Sequence, residues 1–77
     1  MKDKIFKYKE LYIKKGDDYE LERVIGGDVE VSKVPSNLLS FDDLEETRTE
    51  RELIVWVYVK YNHKFDDYTT LGYKVCK

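Results

Sequence analysis

The 77-residue chain has no alanine and no glutamine, and it has only one proline, one tryptophan, one histidine and one cysteine. The single cysteine, Cys76, cannot staple the fold, so stability must rest on packing. Small secreted domains ordinarily carry several disulfides, so the expected home is a cytosol, that of a bacterium or of a host cell. No apolar stretch of signal-peptide length follows Met1-Lys2-Asp3-Lys4. The longest apolar run, residues 53–59, is far short of the about 20 residues that span a bilayer. A soluble protein with no membrane partner is expected.

Chemistry-specifying motifs are also missing. Gly26-Gly27 is too short for a phosphate-binding loop, and neither the dinucleotide fingerprint nor the Walker pattern is present. His63 stands in a predicted loop beside Lys64 and Asp66. The acidic pairs Asp17-Asp18, Asp42-Asp43 and Asp66-Asp67 fall at turns or a helix start, where Asp is favoured by its bonds to the backbone. No nucleophile–base pair and no ligand spacing results, so no enzymatic activity, metal or cofactor is expected.

What remains is a foldable, strongly charged chain. Aromatic residues are 14% of it, including 7 Tyr, which argues against disorder. The length allows one compact domain, residues 1–77, with a small core. Lys outnumbers Arg 11 to 3, a usage common in AT-rich genomes, which points to a low-GC bacterium or its phage.

Alternation predicts a strand over residues 4–14, with Phe6, Tyr8 and Tyr12 on one face and Ile5, Leu11 and Ile13 on the other. Lys15-Gly16-Asp17-Asp18 is a turn signal. A second strand, 19–25, and a third, 29–34, flank Gly26-Gly27-Asp28 and are expected to form a hairpin. Residues 38–50 hold the helical pattern, with Ser40 and Asp43 in capping-box spacing. Residues 51–62 are apolar on both faces, as in a central strand covered on both sides, with Ile54, Trp56 and Tyr58 expected under the helix or, if the helix is too short to cover them, exposed as a partner or dimer contact. A last strand, 68–76, should return as a hairpin and place Leu71, Tyr73 and Val75 together. The order β-β-β-α-β-β predicts an α+β, β-rich fold. Its five mostly antiparallel strands form either a curved sheet packed on one short helix or a small OB-like barrel.

The net charge of −2 hides a division along the chain. Residues 1–15 carry six lysines against two acids, residues 16–31 six acids against Arg23, and residues 42–52 six acids against two arginines. Two functions from different classes follow. The first is a protein-binding module, an inhibitor or regulator, monomeric or homodimeric, that meets a basic partner surface by electrostatic steering. Its candidate contacts are Asp17, Asp18, Glu20, Glu22, Asp42, Asp43, Glu45 and Glu46, with Trp56 and Tyr58 as aromatic anchors. The second is a single-stranded nucleic-acid binder that stacks bases on aromatics and holds phosphates with lysines. Its platform is Lys4, Phe6, Lys7, Tyr8, Lys9, Tyr12, Lys14 and Lys60. If the first and last strands were neighbours, the basic ends would share one side of the domain.

Overall fold

The computed structural model describes residues 3–76. Its elements are β1 (Lys4–Lys15), β2 (Asp18–Val24), β3 (Val29–Val31), α1 (Phe41–Thr47), β4 (Glu52–Asn62) and β5 (Asp67–Val75). The five strands form one antiparallel, unclosed sheet in the order β2-β1-β4-β5, with β3 beside β1. The curved sheet on one helix is therefore the architecture, and the closed barrel is not. The molecule measures 43 × 23 × 22 Å. A 12-residue strand at about 3.3 Å per residue accounts for the long axis. Among the described residues, no helix is long and apolar enough to cross a membrane.

The hairpin expected between the second and third strands does not exist. β2 pairs with residues 10–15 of β1, and β3 pairs with residues 5–7 of the same edge. The two run in one direction as an interrupted strand, held between by the Ile25 amide donating to the Lys9 carbonyl at 2.9 Å. The turn chemistry lies at Gly16, whose φ of 64° lets the chain reverse between Lys15 and Asp18. Gly26 serves another need. A Cβ there would stand 3.2 Å from the Lys9 Cβ, so the missing side chain lets the linker pass close over β1.

The helix forms as its cap predicts. Ser40 Oγ accepts from the Asp43 amide at 3.1 Å, and Asp43 Oδ2 accepts from the Ser40 amide at 3.4 Å. Asp42 and Asp43 complement the positive end of the helix dipole. It spans only two turns, shorter than the helical pattern. Just before it, Leu39 exchanges two backbone hydrogen bonds with Tyr73, of 2.8 and 2.9 Å, so this segment lines the outer edge of β5. Leu38 closes over Gly72, where a Cβ would come within 2.6 Å of the Leu38 Cβ.

From that edge the helix crosses one face of the sheet. Leu44, wholly buried, packs with Tyr12, Tyr19, Leu53, Val55 and Val57. The Phe41 ring lies 5.3 Å from Tyr12 and 5.6 Å from Tyr73. In β4 the row Leu53, Val55, Val57 and Val59 is buried, as expected of the core face. The alternate row is not under the helix. Register places Ile54, Trp56 and Tyr58 with Leu11, Lys9 and Lys7 on the opposite face, which no helix covers. In β5 a bulge opposite Tyr58 and Val59 shifts the register. Tyr73 and Val75 join the core side, Thr70 takes the place beside Val59, and Leu71 stands 37% exposed.

Candidate functional site

The acidic residues of β2 and α1 are brought to one end of the molecule by a specific clamp. The buried Tyr19 donates its amide to Glu45 Oε2 at 3.1 Å and its hydroxyl to the Glu50 carbonyl at 2.7 Å. The Lys14 amide donates to the Arg51 carbonyl at 2.8 Å, and its ammonium to the Arg48 carbonyl at 3.4 Å. The hairpin and the helix segment thus share one pole. Residues 14–23 and 42–52 together carry ten carboxylates and five bases, a net −5, while the rest of the chain carries six carboxylates and nine bases, a net +3.

The individual carboxylates differ in what they are free to do. Asp43 is engaged in the cap and Glu45 with Tyr19. Glu20 faces Lys15 at 3.8 Å with both side chains well exposed, a pairing of small energetic weight. Asp17, Asp18, Glu22, Asp42 and Glu46 stand exposed. Trp56 and Tyr58, grouped with these acids by sequence reasoning, lie on the uncovered sheet face in a basic setting. Trp56 pairs across with Lys9 on β1 and Lys74 on β5. The ammoniums of Lys7 and Lys9 stand 4.2 and 4.9 Å from its ring centroid. Tyr58 is 5% exposed between Lys7 and Gly72 and presents little surface to a partner.

The aromatic and lysine platform of β1 is likewise divided. Strand alternation sends Lys4, Phe6, Tyr8, Tyr12 and Lys14 to the helix side, and Lys7 and Lys9 to the other. Lys60, paired with Ile5, is on the latter side and meets Asp3 at 3.4 Å. Tyr12 is 7% exposed beneath Phe41 and has no free ring face for a base. His63 is exposed, with Nδ1 3.4 Å from Asp3 Oδ1. Among the described residues, no group of three or more His, Cys, Asp and Glu side chains is placed to hold a metal ion.

Sequence reasoning missed a polar centre on the helix side. Glu10 is 7% exposed and accepts the Tyr12 hydroxyl at 2.6 Å. Burial, and next that hydrogen bond, push the Tyr12 hydroxyl far above its ordinary range. Burial, then the nearby Glu10 charge, also raise Tyr8 and Tyr73. The signal was available: position 10 falls between Tyr8 and Tyr12 on the apolar face, so alternation alone places an acid in the core. Beyond the helix, the same face opens into a recess of about 370 Å³ lined by Tyr8, Asp28, Val59, Tyr68 and Thr70. Of these, only Tyr8 had been singled out as a candidate.

No protein-family model, curated protein or solved structure matches the chain.

Proposed function

We propose that the protein is a small non-enzymatic binding module, an inhibitor or regulator acting in a bacterial or phage-infected cytosol. It engages a basic surface of a protein partner through the acidic hairpin–helix pole. The observation that carries this reading is the Tyr19–Glu45 clamp, which joins two acidic segments distant in sequence into one end of the molecule. A net −5 concentrated at one end of a 43 Å molecule steers it pole-first toward a positive surface. The test is a charge-reversed variant at Glu20, Glu22, Asp42 and Glu46, which spares the cap and the clamp. Its circular dichroism should match the parent. A partner captured by the parent from source-cell lysate should be lost, with the parent's own binding falling steeply as salt is raised. Equal capture by the variant refutes the acidic-pole reading.

A second reading is favoured by one observation, the placement of Lys7 and Lys9 over Trp56 on the uncovered sheet face. Lysines around a half-buried aromatic suit single-stranded nucleic acid, with the base replacing the ammoniums on the ring and the ammoniums moving to phosphates. Titration of single-stranded DNA and RNA in low salt, followed by tryptophan fluorescence, tests it. Unchanged fluorescence and no retained nucleic acid would remove this reading and leave the first untouched.

A further inference from the structure

The recess on the helix side is separate from both surfaces above. Its walls come from three adjacent strands and the linker before β3. Tyr8 projects from β1, Val59 from β4, and Tyr68 and Thr70 from β5, while Asp28 reaches in from the linker before β3. Register explains why they converge: Tyr8 pairs with Val57, Val59 with Thr70 and Tyr61 with Tyr68, all on the face whose other half the helix covers. The short helix leaves this half open.

The chemistry of the lining is one-sided. It offers a carboxylate, two phenol rings, a hydroxyl and an aliphatic floor, and no base. The Tyr61 ring packs against Tyr68 at a tilt of 50° with centroids 5.0 Å apart, fixing one aromatic wall. Glu10, two residues along β1 from Tyr8, is a second acidic side chain on the same face. The Tyr8 hydroxyl feels both acids, and after burial the Glu10 and Asp28 charges raise it. Aromatic faces and carboxylates together favour a positive group, because the ring quadrupole and the carboxylate charge both attract it. The lining itself sets Asp28 against an anion and holds no base; the basic residue on this face, Lys4, lies outside it, opposite Tyr61.

We propose that the recess bounded by Tyr8, Asp28 and Tyr68 binds an organic cation, an alkylammonium or guanidinium group. The occupant is either a free amine or the basic side chain of a polypeptide, and both present the same head to Asp28. The test is amide chemical-shift mapping of the full chain, first with agmatine as a free amine and then with a blocked lysine peptide. Shifts should centre on Tyr8, Asp28, Val59, Tyr68 and Thr70. Asp28→Asn should weaken binding about tenfold and Tyr68→Leu by a similar factor. Binding of agmatine alone assigns a free amine, and binding of the peptide as well assigns a side chain.

Several results would overturn the proposal. One is that shifts appear only around Asp17 and Asp42, which would show diffuse attraction to the acidic pole. Others are equal affinity of the Asp28→Asn variant, or equal affinity for a neutral alcohol of the same length. Charge reversal at Glu20, Glu22, Asp42 and Glu46 should leave recess binding within about twofold, since none of them lines the recess and exposed charges are screened by salt. The recess and the acidic pole therefore stand or fall separately.

Discussion

The two faces of β4 have the same kind of residues and unequal cover, Tyr58 alone being buried in the second row. Leu53, Val55, Val57 and Val59 meet the helix side and are at most 6% exposed. Ile54 and Trp56, one residue out of step, meet lysines and keep partial access to water. An apolar strand does not by itself recruit cover on both sides. With one two-turn helix available, the second face is shielded by the stems of Lys7 and Lys9, whose heads stay charged above the Trp56 ring. The difference separates residues that hold the fold from residues free to meet something else.

The comparison can be broken first at its strongest point. Leu44→Ala removes the one wholly buried helix side chain and should cost about 2–5 kcal/mol in denaturant unfolding. Ile54→Ala on the other face should cost less than about 1.5 kcal/mol. Equal losses would show that the uncovered face is as much a core as the covered one. Next in size is Tyr12→Phe, which strips the Glu10 carboxylate of its hydroxyl donor at 7% exposure. A loss of about 1–3 kcal/mol is expected, with the cost confined to the covered side.

Alkaline titration sharpens the same contrast. Tyr8, Tyr12 and Tyr73 have hydroxyls raised above their ordinary value of 10, chiefly by burial. A group with a higher pKa folded than unfolded keeps its proton in the native state. Its contribution to stability is therefore complete below pH 10 and is lost as pH rises above it. Tyrosinate absorbance should rise together with loss of circular dichroism for these residues. Independent ionisation in the folded protein would contradict their burial. Ser40→Ala should cost about 1 kcal/mol by removing the helix cap. Smallest of all, Lys7→Ala and Lys9→Ala should each change stability by less than about 1 kcal/mol, because their contacts with Trp56 are only half-buried.

Much of the local structure was legible in the chain. Ser40 and Asp43 announce the helix start, Gly16 marks a turn, and alternation puts Phe6, Tyr8 and Tyr12 on one face of β1. The Gly26-Gly27 pair misled for a physical reason. A glycine pair signals either a reversal or a close passage, and only the pairing of β3 with β1 selects the second. The site was less legible still. The excess of acids in the hairpin and helix is visible in the sequence, but the contacts that join them at one pole, between residues 26 and 31 positions apart, are not. For Trp56 the sequence leaves cover by the helix and exposure to a partner both open, and the face it occupies becomes basic only when Lys9 and Lys74 flank it.

What the sequence determined by itself is whatever neighbours a few residues apart can decide: caps, turns, the two-residue period of strands, and a β-rich fold with one short helix. The tertiary structure alone decided which strand lies beside which, which face the helix covers, and which charges end up together. The hairpin–helix pole, the lysine-flanked Trp56 and the Tyr8–Asp28–Tyr68 recess all belong to this second group. Each is assembled from segments that meet only after the sheet has formed, and a linear chain carries no local energy that distinguishes one such meeting from another.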